Sequence, residues 1–155
     1  ARAQVWQDAF SGMGSFHYGG RWSSPRTAMV YASTHLSLAT LEILVHVNRA
    51  SFLQTRVALR FEIDEDLVMQ LDDSALPASW DALPAPVSSQ KSGDAWAASS
   101  QSMGLLVPSA ILPRGSEREE RNLLLDPTYP DFIGQIHDVA ILPFNFDDRI
   151  TALLT

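Results

Sequence analysis

Residues 28–47 read AMVYASTHLSLATLEILVHV, a strand signal followed at once by a helix signal. Ala28 to Ala32 is short and apolar, with Met29 and Tyr31 on one face and Val30 on the other, which predicts a strand and sets Tyr31 near its end. From Leu36 to Val47 the apolar residues Leu38, Leu41 and Val45 recur at helical spacing, and Ser33 and Thr34 precede them as candidate N-caps. On this helix Ala39, Glu42 and His46 fall at i, i+3 and i+7. A carboxylate and an imidazole therefore share one face, with a small residue leaving room beside them.

Upstream, Gly12, Gly14, Gly19 and Gly20 lie among aromatics and read as a loop ending in Arg21-Trp22. Downstream, Val57, Leu59, Phe61 and Ile63 alternate with Arg56, Ala58, Arg60 and Glu62, a half-buried strand. Residues 72–90, with Pro77, Pro84 and Pro86, read as an irregular connection with one helical turn around Trp80. Gly93-Asp94 is read as the start of a second helix running through Trp96 to about Ser102. Leu105–Val107, Ala110–Leu112, Asn122–Leu125 and Val139–Leu142 then read as short strands. One strong helix followed by clustered strands predicts an α+β domain rather than alternating βαβ units. With 155 residues, 46% of them hydrophobic, a single domain over 1–155 is expected.

The formal net charge is −7 and Lys91 is the only lysine, so direct nucleic-acid binding is not expected. The remaining basic residues are arginines, suited to bidentate recognition of phosphate where one lines a cleft. Cysteine is absent, which removes disulfides, thiolate catalysis and thiolate metal sites. No apolar run suggests a membrane span and no signal-like segment opens the chain, so a cytoplasmic location is expected. The chain opens on Ala1 rather than Met, consistent with further residues upstream. Dinucleotide-fold, P-loop, serine-hydrolase and zinc-protease motifs are missing, and His17, His35, His46 and His137 are scattered, so no metal site is expected.

Six strings remain: Gly19-Gly20-Arg21-Trp22; Tyr31-Ala32-Ser33; Leu41-Glu42 with His46; Gly93-Asp94 with Trp96; Val107-Pro108-Ser109-Ala110; and Asn122 before Asp126-Pro127. In order and spacing they resemble the RES domain family over nearly the whole chain, with the family's Arg, Glu and Ser at Arg21, Glu42 and Ser109. Asp126, where Asn is usual, and Tyr129, where His is usual, depart from the pattern. The resemblance implies an ADP-ribosyltransferase-like fold, a split β-sheet core with surrounding helices. It also implies a toxin that consumes NAD, neutralised by an antitoxin of the Xre helix-turn-helix type. The ADP-ribose is expected to pass to a protein target, with release to water or phosphate as the alternative.

The residue chemistry agrees. Departure of nicotinamide leaves an oxocarbenium-like ribosyl centre, which a carboxylate stabilises mainly in the transition state, and Glu42 is the candidate. Tyr31 suits stacking on the pyridinium ring. Arg21, after two glycines, suits the pyrophosphate. Ser33, Ser109 and Asn122 offer neutral hydrogen bonds to NAD. His46 either orients substrate or bonds the backbone, while Trp22 and Trp96 are expected to be packing anchors and Asp147 and Arg149 a surface pair. Two other classes compete: a non-catalytic interaction module for the antitoxin, and a glycosidase-like hydrolase using Glu42 with Asp94.

Overall fold

The protein is described by a computed structural model over residues 2–47, 56–115 and 120–153. Helices α1 (Arg2–Ala9) and α2 (Met13–Tyr18) lead into β1 (Val30–Ser33) and α3 (Leu36–His46). Strands β2 (Arg56–Glu62) and β3 (Val68–Gln70) precede α4 (Val87–Ser99). The chain continues through β4 (Gly104–Val107), β5 (Asn122–Leu125), β6 (His137–Phe144) and α5 (Asp148–Ala152). The fold is α+β, as the sequence implied.

The β-core is split. A four-stranded sheet has the order β1-β5-β4-β3, and a separate two-stranded sheet pairs β2 with β6. In the larger sheet β5 runs antiparallel to both neighbours, while β3 and β4 are parallel. Because paired residues share a face and neighbours along a strand alternate, the register assigns each side chain to one of two cores. Met29, Leu105, Val107 and Leu124 face one side, where they meet Trp22, Trp80 and Trp96. Val30, Leu123 and Leu125 face the other and meet Phe10, Leu59, Phe61, Ile63 and Val139. The two-stranded sheet therefore backs the larger one, and the tryptophans fill the opposite face. Trp22 and Trp96 are buried, as expected of packing anchors.

Several local readings are corrected. Residues 2–9 and 13–18 are helical where a loop was expected, and on α2 Ser15 Oγ accepts from the Met29 N–H at 2.7 Å, which ties that helix to the start of β1. Strand β3 had no signal in the sequence; it is only three residues long and is held by parallel pairing to β4. Residues 110–112 form a turn rather than a strand. Neither Ser33 nor Thr34 caps α3, whose N-cap is His35. Their hydroxyls go elsewhere, Ser33 to the Asn122 side chain and Thr34 to the Arg121 carbonyl.

The largest correction concerns α4. It begins at Val87, with Pro86 at the N-cap where its missing N–H is no loss, and ends at Ser100 in a left-handed conformation. Gly93 is therefore central to the helix rather than its start. The reason is close packing, since a Cβ on Gly93 would stand 1.8 Å from the Trp22 carbonyl oxygen. Gln90, Gly93, Asp94 and Ala97 lie on one helical face at i, i+3, i+4 and i+7. That face receives loop 19–24: Gln90 Nε2 donates to the Gly20 carbonyl at 3.1 Å, and Asp94 Oδ1 accepts from the Ser24 N–H at 3.0 Å. Trp22 then stacks on Trp80 at 5.8 Å between ring centroids.

Gly93→Ala tests this contact. Helix propensity alone predicts a gain of about 1 kcal/mol. Displacing loop 19–24 predicts a net loss of about 2 kcal/mol or more instead. Denaturant unfolding reads the sign, and a variant as stable as the wild type would show that the contact does not hold the loop.

Candidate active site

The register of the larger sheet aligns Ser33 with Asn122, and Asn122 with Val107, in one row across β1, β5 and β4. Ser109 lies just past the end of β4, and α3 begins soon after β1, so Glu42 hangs over the end of this row. Its carboxylate is held by neutral donors. Ser109 Oγ donates to Glu42 Oε1 at 2.8 Å, and Asn122 Nδ2 donates to the same oxygen in a short hydrogen bond. Ser33 Oγ donates to Asn122 Oδ1 at 2.7 Å. Ser109 and Asn122 are buried while Glu42 is half-buried. The second oxygen, Oε2, makes no hydrogen bond among the described residues.

Tyr31 shares a strand face with Ser33, about 7 Å along the chain. The residue is 42% exposed, yet its hydroxyl is engaged: it accepts from the Trp22 N–H at 3.1 Å and lies 3.0 Å from Ser23 Oγ. The backbone at Gly20 approaches so closely that a Cβ there would lie 2.5 Å from the Tyr31 oxygen. Burial pushes the Tyr31 phenol above its ordinary value, and the hydrogen bonds from Ser23 and Trp22 only partly offset it. Asp94 adds to the rise and Arg21 opposes it, so both charges act on this hydroxyl.

Arg21 projects from the loop that α4 holds. Its Nη1 donates to the carbonyls of Trp80 and Ala82, at 2.8 and 3.0 Å, which pins segment 80–82. Nε and Nη2 make no hydrogen bond among the described residues. Arg114 also grips this segment, with a bidentate pair to Asp81 at 2.8 and 3.0 Å and a bond to the Ala78 carbonyl at 2.7 Å. Being exposed, that pair is screened by solvent and adds little to stability.

Of the residues singled out from sequence, Glu42, Ser109, Asn122 and Ser33 form one hydrogen-bonded cluster. Tyr31 shares its sheet face, and Arg21 reaches Tyr31 through the electrostatic field. His46 is exposed, with Nδ1 2.7 Å from the Glu42 main-chain carbonyl rather than from its carboxylate. Asp94 accepts from Ser24 and Thr27; desolvation raises its carboxyl, but these bonds prevail and hold it below the usual carboxylate range. Among the described residues no three His, Cys, Asp or Glu converge as a metal site, and no helix is long and apolar enough to cross a membrane.

The sequence reading missed three supports. Ser23 meets the Tyr31 hydroxyl. Thr34 exchanges hydrogen bonds with the Arg121 backbone, holding the end of β1 to the start of β5. The Arg121 side chain is buried and pairs bidentately with Asp73. The last two join residues 87 and 48 positions apart, and only the adjacency of Arg121 to Asn122 was a hint.

The site thus belongs to an α+β protein with a split sheet, in which one carboxylate oxygen is held by neutral donors, Tyr31 lies on the same sheet face and Arg21 acts on the Tyr31 hydroxyl. The comparisons specify it further. The RES domain family matches residues 2–147. The chain is 37% identical over 141 residues to "Toxin Res" of Yersinia enterocolitica, covering 91% of this chain and 90% of that protein. It is 38% identical over 149 residues to "Toxin Res" of Photorhabdus laumondii, covering 96% and 92%. It is also 38% identical over 130 residues to the "Prs ADP-ribosylating toxin" of a Sphingobium species, covering 82% and 78%. The chain belongs to the RES domain family.

The raised Tyr31 phenol sets a pH dependence. A phenol whose native value exceeds its unfolded value stabilises the fold fully below the unfolded value. That contribution is lost as pH rises from about 10 through the native value, because the unfolded chain releases its proton first. Tyr31→Phe is expected to remove a late phenolate absorbance step and to flatten the alkaline decline in stability; loss of a step near the ordinary value of about 10 instead would place the Tyr31 hydroxyl in water.

Proposed function

We propose that the protein is a toxin that cleaves the nicotinamide–ribose bond of NAD and transfers the ADP-ribose to a protein target. The observation that carries this reading is the Glu42 carboxylate, whose Oε1 takes two neutral donors while Oε2 makes no bond among the described residues. Membership of the RES family and similarity to an ADP-ribosylating toxin support it.

In this reading Glu42 Oε2 faces the ribose, accepting from its hydroxyls and stabilising the positive charge that develops as nicotinamide leaves. Because Ser109 and Asn122 are neutral, they orient the carboxylate without cancelling its charge. The exposed Tyr31 ring stacks on the pyridinium, worth on the order of 1 kcal/mol or more once desolvated. Arg21, its Nη1 fixed on carbonyls, turns Nε and Nη2 to the pyrophosphate in a planar fork that lysine does not reproduce. His46, with Nδ1 on the Glu42 carbonyl, keeps Nε2 for the acceptor side.

The partner is a cognate antitoxin of the helix-turn-helix type, in keeping with relatives named as Res toxins. An acidic chain of net charge −7 leaves operator binding to that partner. Silencing an enzyme whose substrate is small and abundant is simplest if the partner covers the cleft near Arg21 and Glu42. Turnover at fixed, sub-saturating antitoxin is then expected to recover as NAD is raised. Inhibition indifferent to NAD at equilibrium would point to distortion from elsewhere.

The reaction is tested by incubating the purified protein with NAD, with and without phosphate and cell extract, and measuring free nicotinamide and labelled protein. Glu42→Gln preserves size and hydrogen bonding but removes the charge, so nicotinamide release should fall about a hundredfold or more. Near wild-type turnover would exclude Glu42 from the chemistry. Release that needs only phosphate or water, with no labelled protein, would make the acceptor a small molecule.

A further inference from the structure

We propose that Ser33 is a positioning residue that acts on Glu42 through Asn122 rather than a contact for the substrate. This rests on the reading of Glu42 given above. An amide has two ends, and only one orientation of Asn122 gives Glu42 a donor: Nδ2 towards the carboxylate, Oδ1 away from it. In that orientation Oδ1 meets Ser33 Oγ at 2.7 Å, and Ser33, carrying the only proton available to that contact, donates it. The opposite orientation would put two acceptor oxygens, Asn122 Oδ1 and Glu42 Oε1, against each other.

Asn122 is 8% exposed, so water does not readily replace Ser33 at Oδ1. The relay is built into the sheet. Ser33 and Asn122 are directly paired residues of β1 and β5, and the Thr34–Arg121 bonds clamp the two strands immediately beside them. With its proton given to Asn122, the Ser33 hydroxyl is not a donor for a ligand. Removing it leaves the buried Oδ1 without a partner and lets the Asn122 amide rotate, so that Glu42 Oε1 retains Ser109 as its fixed donor and the carboxylate swings about that single bond.

The test compares Ser33→Ala with Ser33→Thr, which keeps a hydroxyl and suits a strand. Ser33→Ala is expected to lower kcat for NAD about tenfold with KM changed less than about twofold, and Ser33→Thr to restore most of it. In an Asn122→Ala background, Ser33→Ala should have no further effect on kcat, because its action passes through the missing amide. A raised KM at unchanged kcat, or a full tenfold loss in the Asn122→Ala background, would overturn the proposal and make Ser33 a direct contact. A readout independent of turnover is solvent exchange of the Asn122 side-chain amide protons by NMR. Exchange should be about tenfold faster in Ser33→Ala than in the wild type or Ser33→Thr. Unchanged exchange overturns the relay, whereas faster exchange in a protein that does not turn over NAD upholds the relay and removes the reaction reading alone.

Discussion

The pairing of β5 with both neighbours is the constraint from which the candidate site follows. It sets Ser33 opposite Asn122 and Asn122 opposite Val107, so Ser109, just beyond Val107, emerges on the same face of the sheet. A one-residue slip of β5 would send Asn122 to the far face, into the core of Phe10 and Phe61, and bring Leu123 under Glu42. The same slip would expose Leu124 and Leu125, both fully buried, to the wrong cores. Burial of these leucines thus holds the register that aims the polar row, and packing energy is converted into the placement of a carboxylate.

A second layer of support comes from α4. Loop 19–24 lies outside the sheet, yet it delivers Arg21 and the backbone N–H that meets the Tyr31 hydroxyl. The loop has no ladder of its own; it is held by Gln90 and Asp94, by Trp22 stacking on Trp80, and by the space that Gly93 leaves. Segment 78–82, which carries Trp80, is in turn clasped by Arg21 and Arg114. Sheet, helix and segment therefore cross-brace one another around Tyr31.

What the sequence disclosed depended on whether a feature was local. The α3 period, the β2 alternation and the Asn122–Leu125 run are patterns within a few residues, and the elements lie where expected, but of the apolar residues that carried them Leu41, Val45 and Val57 are exposed rather than buried. So does the Asp147–Arg149 pair at the start of α5. Gly93 was noticed but misread, because a glycine demanded by a partner backbone looks the same in sequence as one that opens a helix. Strand β3 exists only through its neighbour. Glu42, Ser109, Asn122 and Ser33 were named one by one from motif strings, but nothing in one dimension said that Ser33 bonds Asn122 and not a helix N-terminus. Whether a hydroxyl caps, bridges or binds is decided by what tertiary packing brings within about 3 Å.

The charge arrangement follows from the same bonding. Two arginines near the site, Arg114 and Arg121, are matched to Asp81 and Asp73 and contribute little net field. Arg21 is bonded through Nη1 only to carbonyls, and Glu42 through Oε1 only to a hydroxyl and an amide, so among the described residues neither is neutralised by its hydrogen-bond partners. Arg21 and the Glu42 carboxylate are thus fixed by separate scaffolds, the first by the α4-held loop and the second by the sheet end. A ligand with a diphosphate and a cationic ring presents the complementary pair of charges. The carboxylate acts on charge that grows during bond cleavage only if its hydrogen bonds leave that charge intact, and neutral donors meet this requirement where an arginine in place of Asn122 would not.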